Sequence, residues 1–246
     1  MIVIKLGGSV ITYKNKENTF NARATKRLAK EIAEAGEKII IVHGAGSFGH
    51  PQAKEYELHK GFVDKERQIK GISLTHASVR KLNMKILDVF ISLGINAVSL
   101  PPFPSISKSF LENVKKIADM GLTPVTFGDV LLNSNVSIIS GDKLMELIAL
   151  HVKAERAIFV TDVDGIYGDM KKDDSLFKIC TPNELEDAFI HGSKATDVTS
   201  GMAGKVKSIK RMAYSGVEVH VINGKKPRRL FNAIKGKRVG TMVIPK

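Results

Sequence analysis

Apolar positions along this chain fall into two rhythms, short unbroken runs and longer stretches with one apolar face, and the way these alternate predicts its architecture. Ile2-Val3-Ile4 with Leu6, and Lys38-Ile39-Ile40-Ile41-Val42, are β-branched runs too short for a helix. They predict strands covered on both faces, as in a parallel sheet. Between them Thr25, Leu28, Ala29 and Ile32 recur at helical spacing, with Asn21 as N-cap and Gly36 as C-cap. A long polar helix is predicted from about Lys65 to Leu93, closed by Gly94 and followed by a strand over Ile95 to Leu100. Pro101, Pro102 and Pro104 then break the chain. A helix over 108–120 and strands over 123–127 and 136–139 come next. Ser140-Gly141-Asp142 opens an apolar helix to about Ala154, with Met145, Ile148, Ala149 and Val152 on one face. The last third repeats the logic. It has a strand at Ala157 to Val160, a turn-rich loop at 162–175, a helix near 182–190 and a polar loop at 191–200. A helix from Met202 to Ser215 then buries Val206, Ile209 and Ala213, and a strand runs from Val217 to Ile222. Strand and helix alternate throughout, which predicts an α/β fold. With no linker, short-period repeat or low-complexity tract, residues 1–246 read as one unit.

Size and composition narrow the setting. A chain of 246 residues buries roughly 70–75% of its unfolded surface and needs no covalent staple. A single cysteine, Cys180, excludes an internal disulfide and a multi-cysteine zinc site, which points to a reducing compartment, the cytoplasm. A core strand beginning at residue 2 argues against a cleavable signal. No run approaches the ~18 apolar residues of a membrane span, so a soluble protein is expected. The excess of 38 Lys+Arg over 25 Asp+Glu gives a net charge of +13. That favours anionic partners such as nucleotides, phosphorylated metabolites or nucleic acid. Basic clusters at Lys225, Lys226, Arg228, Arg229 and at Lys235, Lys237, Arg238 could hold phosphates. Without Trp or interleaved aromatics for base stacking, however, they read as solvated loops and no nucleic acid is expected.

Two glycine-rich loops leave the first two strands. Lys5-Leu6-Gly7-Gly8-Ser9 places a lysine on the strand and N–H groups without side-chain hindrance just after it, the makings of a phosphate cradle. His43-Gly44-Ala45-Gly46-Ser47-Phe48-Gly49-His50 is the second. Residues 44–49 formally match G-x-G-x-x-G, with Asp64 at the distance of a ribose-binding carboxylate. Pro51 and the lysine-rich stretch to Lys60 leave little room for the helix and second buried strand such a site needs. Read as a Walker loop, the same segment has His50 and Pro51 where the lysine and hydroxyl should stand, so a different phosphate loop is expected.

Lys5 to Ser9, the His43 to His50 loop, Ser140-Gly141-Asp142, Thr161-Asp162-Val163-Asp164-Gly165-Ile166-Tyr167 and Asp197-Val198-Thr199-Ser200-Gly201-Met202-Ala203-Gly204-Lys205-Val206 occur in an order that resembles the amino acid kinase superfamily across the whole chain. The Ser-Phe-Gly-His ending of the second loop resembles, within it, the isopentenyl phosphate kinases. Two positions depart from that pattern. Ala45 stands where glycine is usual, and Ser200 replaces the first glycine of the pair before Met202.

The resemblance implies a three-layer αβα sandwich around a mostly parallel sheet. Residues 1 to about 140 would form an acceptor-binding lobe and about 141–246 a nucleotide-binding lobe. It implies transfer of the ATP γ-phosphate to isopentenyl phosphate in isoprenoid biosynthesis, by a cytoplasmic homodimer. By position, Lys5, Gly7, Gly8 and Ser9 would bind ATP phosphates, Lys14 would stabilise the transferred group, and Lys205 would hold the phosphates from the other side. Gly46, Asp162, Gly165, Tyr167 and Gly201 would contact the nucleotide, with Asp164 shaping the adenosine side. Ala45, His50 and Gly141 would face the acceptor phosphate, and Asp142 would orient the lysines. Magnesium would ride on the ATP phosphates, with no protein metal site.

A phosphate monoester has a second pKa of about 6, so the acceptor is largely ionised at neutral pH and no general base is needed. Positioning and charge cancellation between two anions carry the reaction. Ile69, Ile72, Ile138 and Ile139 are candidates for an apolar slot for the acceptor tail, or core positions. A same-fold kinase for another phosphorylated, phosphonate or amino acid acceptor is an alternative. An amino acid would call for an arginine clamp, and neither glycine loop contains one. A basic nucleic-acid-binding protein on the same fold is a more distant alternative.

Overall fold

Successive strand residues send their side chains to opposite faces of one sheet, and each face is covered by its own helices. The computed structural model describes residues 1–168, 175–185 and 200–246, with only the backbone of 200–203. Among these residues the sheet runs, edge to edge, β3 (Ala97–Ser99), β4 (Thr123–Phe127), β2 (Ile39–His43), β1 (Ile2–Leu6), β7 (Arg156–Thr161), β9 (Glu218–Asn223), β10 (Thr241–Val243) and β8 (Ile179–Cys180). Neighbours from β3 to β9 are parallel, β10 is antiparallel to β9, and β8 is parallel to β10.

Val3, Ile40, Val42, Phe159 and Val219 pack on one face against α5 (Lys108–Asp119), α6 (Gly141–His151) and α7 (Ser200–Tyr214). Ile2, Ile4, Ile41 and Ile158 pack on the other against α1 (Gly8–Ile11), α2 (Ala22–Ala35), α4 (Lys65–Ile91) and α8 (Arg229–Ile234). The result is a three-layer αβα sandwich. Each buried aliphatic side chain contributes about 1.5–3 kcal/mol, so a one-residue slip, which would exchange the two faces, is strongly disfavoured. Register therefore fixes Lys5 on the face of Val3, under α6, opposite Val42 and Phe159.

The caps form where the sequence puts them. Asn21 accepts the Ala24 N–H at 3.1 Å, and Gly36 ends α2 in the left-handed region at φ 63°. Asp64 serves as the N-cap of α4, accepting the Arg67 N–H at 3.1 Å. Between the glycine loop and Asp64 lie only α3 (Gly46–Glu55) and a single 3₁₀ turn, Leu58–Lys60, so the second strand of a dinucleotide fold is missing. α3 contains Pro51, which offers no N–H to Ser47; the Ser47 carbonyl accepts instead from the Asn18 N–H at 3.0 Å. A hairpin of β5 (Asp129–Leu132) and β6 (Val136–Ile139) packs Val130 and Val136 against Ile72 and Leu58. The helix expected near 182–190 is helical over 182–185, and its remainder and the loop at 191–199 lie outside the described residues, as do 169–174.

Candidate active site

The C-terminal ends of β1, β2 and β7 lie side by side, and the chain stays together as it leaves them. The Gly7 N–H donates to Val160 O at 2.8 Å and the Gly44 N–H to Leu6 O at 2.9 Å. The two glycine loops then touch: a Cβ on Gly8 would sit 2.5 Å from Gly46 Cα, and Gly46 itself has φ +51°. Thr12 clasps them, its hydroxyl donating to Gly8 O at 2.7 Å and accepting the Ser47 N–H at 3.1 Å. Ala45 has φ −69° and ψ −28°, an ordinary right-handed conformation, so a methyl group is accommodated there. Helices α1, α3 and α6 all begin at this edge, and their first N–H groups have no intrahelical acceptor, which makes it a place for anions.

The cations come from three stretches of chain. Lys5 and Lys205 both donate to Asp142 at the start of α6, Lys205 Nζ lying 3.0 Å from Oδ1 and 3.1 Å from Oδ2. Lys205 also lies over the Phe159 ring, 5.0 Å from its centroid. Burial and the nearby Lys205 charge push the Lys5 ammonium down from 10.5 to about 8, against the opposing pull of Asp142. Burial acts to raise the Asp142 carboxyl, but the two lysines outweigh it and hold its pKa below the ordinary value. Asp162, just after β7, forms a second node: Ser9 Oγ donates to Oδ1 and Lys14 Nζ to Oδ2, each at 2.9 Å. Lys14 is largely exposed, unlike Lys5 and Lys205.

A cavity of about 590 Å³ joins these parts, lined by Lys5, Gly8, Ser9, Lys14, Ala45, Gly46, His50, Gly141, Asp142 and Lys205 among others. The His50 ring is open to the cavity yet surrounded by protein atoms, and this burial, with the Lys5 charge, lowers its pKa below 6.5. Ile138 and Ile139 line the same cavity, whereas Ile69 is exposed on α4 and Ile72 belongs to the cluster under the hairpin. Gly165 and Tyr167 sit off to the side. A Cβ on Gly165 would meet Thr241, and Tyr167 bridges to Leu176. Gly201 lies in the first turn of α7, while Asp197, Val198 and Thr199 fall outside the described residues.

Several lining residues carry no motif and were not singled out from sequence. Asp129 follows β4 and is buried against His76, whose Nδ1 lies 2.7 Å from its Oδ2; desolvation, opposed by His76, raises the Asp129 carboxyl to about 6. Its one sequence signal was a Gly-Asp pair immediately after a buried strand. The basic clusters near the C-terminus are partly neutralised, Lys226 by Asp164 at 2.8 Å, Lys235 by Glu37 at 2.8 Å and Arg228 by Glu34. Chemically, the arrangement can hold two anions close together, with half-buried cations beside them and glycine backbone on the rim.

Comparison with known proteins agrees with that chemistry. The model of the amino acid kinase family matches residues 1–223. An isopentenyl phosphate kinase of Methanothermobacter thermautotrophicus is 38% identical over 265 aligned positions that cover 100% of both chains. A solved isopentenyl phosphate kinase structure superposes with a TM-score of 0.84 at 35% identity, covering 99% of this chain and all of the other. The Thermoplasma acidophilum isopentenyl phosphate kinase product complex gives a TM-score of 0.80 at 30% identity, with 99% of each chain covered.

Proposed function

This chain belongs to the amino acid kinase family, and on that premise we propose that it transfers the γ-phosphate of ATP to isopentenyl phosphate, giving isopentenyl diphosphate and ADP for isoprenoid biosynthesis. The observation that carries this reading is the meeting of Lys5 and Lys205 on Asp142 at a cavity rimmed by both glycine loops and His50. Two phosphates brought into contact repel each other, and fixed cations in a partly desolvated site offset that repulsion without reorganising.

The acceptor oxygen is already ionised near neutral pH, so the protein's task is alignment. In the proposed arrangement Lys5 and the N–H groups of Gly7, Gly8 and Ser9 bind the donor phosphates, and Lys14 follows the transferred group. Lys205 approaches from α7. Gly46, Asp162, Gly165, Tyr167 and Gly201 serve the nucleotide. Ala45, Gly141 and His50 receive the acceptor phosphate, His50 by donating an N–H. Asp142 orients Lys5 and Lys205. Ile138 and Ile139 offer apolar surface to the isoprenoid tail. The first 140 residues or so form the acceptor-binding lobe, which also lends its glycine loops to the donor phosphates, and the rest form the nucleotide-binding lobe.

The residues fit a magnesium ion carried on ATP. Asp142 and Asp162 are each engaged by lysines, and among the described residues no three His, Cys, Asp or Glu side chains gather into a cage. When bound with ATP, the ion supplies further neutralisation of phosphate charge.

A homodimer is proposed from the outer face of α4, where Leu74, Met84 and Ile91 are exposed along one side beside an 860 Å³ groove. Lys81 and Asp88 on this side would pair across a two-fold axis. Among the described residues no helix is long and apolar enough to cross a membrane, and the proposed compartment is the cytoplasm.

The test is a coupled ADP-release assay across isopentenyl phosphate, dimethylallyl phosphate, acetylglutamate, UMP and fosfomycin. Turnover is expected with isopentenyl phosphate; turnover confined to acetylglutamate or UMP would reject the acceptor.

A further inference from the structure

Four lysines, not three, converge on the two aspartates of this site. Lys225 Nζ lies 4.0 Å from Asp162 Oδ2, the oxygen that Lys14 holds at 2.9 Å. It reaches that place from a separate strand. β9 runs parallel to β7 with Asn223 opposite Thr161, so residues 224–226 leave the sheet beside Asp162, at the end of a parallel sheet where ligands bind.

This turn is held down along its length. The Gly224 N–H donates to Thr161 O at 2.7 Å, and a Cβ there would lie 2.3 Å from Val160 Cγ1, so only glycine allows the approach. Asn223 Oδ1 accepts the Lys225 N–H at 2.9 Å, and the Arg27 guanidinium donates to the Gly224 carbonyl. The neighbouring Lys226 is committed elsewhere, to Asp164 at 2.8 Å.

A rigid turn thus presents one lysine toward a carboxylate that already has a closer partner. One cation suffices to neutralise Asp162, and the second is surplus. Lys225 is 61% exposed, so its ammonium stays hydrated and costs little to hold there. An incoming anion is the ligand that such a surplus charge suits.

We infer that Lys225 is a further phosphate-binding residue, which takes an oxygen of the nucleotide's phosphate chain from the β9 side while Lys14 acts from the β1 side. This rests on the nucleotide site proposed above and adds a cation to it.

The experiment compares full-length wild type, Lys225→Met and Lys225→Arg by calorimetric titration with magnesium ADP, alongside KM for ATP and for isopentenyl phosphate and a thermal melt. A charge-assisted hydrogen bond to phosphate corresponds to roughly ten-fold or more in affinity. Lys225→Met should raise the ADP Kd and the ATP KM about ten-fold while the acceptor KM stays within about two-fold and the melt is unchanged. Lys225→Arg should recover most of the loss. An ADP Kd for Lys225→Met within two-fold of wild type (about 0.4 kcal/mol) overturns the inference, as does an equal rise in both KM values. Wild type that binds no nucleotide overturns the kinase reading and this one together. Wild type that binds ADP but does not turn over isopentenyl phosphate removes only the acceptor, and the ADP titration still decides Lys225.

Discussion

Lys205 bridges both oxygens of Asp142, at 3.0 and 3.1 Å, across 63 residues of sequence and two packed helices. Because Lys5 donates to the same carboxylate from the central strand, Asp142 holds together two cations that would otherwise repel. The cations of the site are therefore held in place by the protein's own carboxylate, which is the condition for electrostatic catalysis without reorganisation.

Asp142→Asn keeps the shape of the anchor and removes its charge. The two lysines then face each other uncompensated and Lys5 loses its proton more readily. A fall in kcat of ~10²-fold or more is expected in the ADP-release assay, since displaced electrostatic groups cost that much in comparable sites. A loss below three-fold (about 0.6 kcal/mol) would show that the lysines hold their places without Asp142.

Lys5 gives a pH dependence with a definite sign. Its folded-state pKa is pushed down from 10.5 to about 8, so its charged form is penalised in the folded protein. Stability should rise with pH between about 8 and 10.5, where the unfolded chain binds the extra proton. Lys5→Met should therefore melt higher than wild type at pH 7, and this advantage should shrink through the same window, while turnover is lost. In wild type kcat/KM for ATP should fall as pH passes about 8. A Lys5→Met protein that melts lower at pH 7 would contradict the burial argument.

His50 should separate the two substrates. Its pKa is lowered by burial and by Lys5, so in the free protein the ring is neutral at pH 7 and donates through an N–H. A bound phosphate dianion draws that pKa upward, and wild type should take up more protons on binding acceptor than His50→Ala does. The acceptor KM of His50→Ala should rise ~10–100-fold with the ATP KM little changed. Parallel, small changes in both would remove the role.

Gly8 should tolerate no side chain. The Cβ of Gly8→Ala would meet the backbone of Gly46 at 2.5 Å, and backbone, unlike a side-chain tip, cannot rotate away. Separating the two loops should cost about 1–3 kcal/mol in denaturant unfolding and a far larger share of the activity. Retention of full activity would mean that the loops need not touch.

Glu146 ties the two helices one turn below Asp142. Buried on α6, it accepts from Ser208 on α7 at 2.7 Å, from Arg211 at 3.3 Å and from Lys143. Because Lys143 and Arg211 are partly in solvent, Glu146→Ala should cost only about 1–2 kcal/mol in stability. It should also raise the ATP KM by loosening the presentation of Lys205, and Glu146→Gln should fall between the two. Loss of stability with an unchanged ATP KM would make Glu146 a purely structural tie.

Short-range chemistry wrote much of this molecule into its sequence. The apolar runs of Ile2 to Leu6 and Lys38 to Val42 marked strands covered on both faces. Asn21, Gly36 and Ser140 marked helix ends because capping is local, and the two glycine loops marked backbone open to an anion, while the approach of Gly8 to Gly46 came only with the fold. The elements α1, α8, β5, β8 and β10 were not legible, since two to six residues carry no period and form only because a longer neighbour is already in place, and the ten residues of α3 were hidden by Pro51 inside it.

What only the tertiary structure decided is which charges share a partner. Without the family resemblance, which singled out Lys5, Lys14 and Lys205, these three and Lys225 are four among 38 basic residues. The sheet order sets β1 between β2 and β7, with β9 beyond, and this brings Asp142 over Lys5 and Lys225 toward Asp162. Local propensity acts over a few residues, whereas electrostatic pairing acts through space, and the distances through which it acts exist only after the strands have chosen their neighbours.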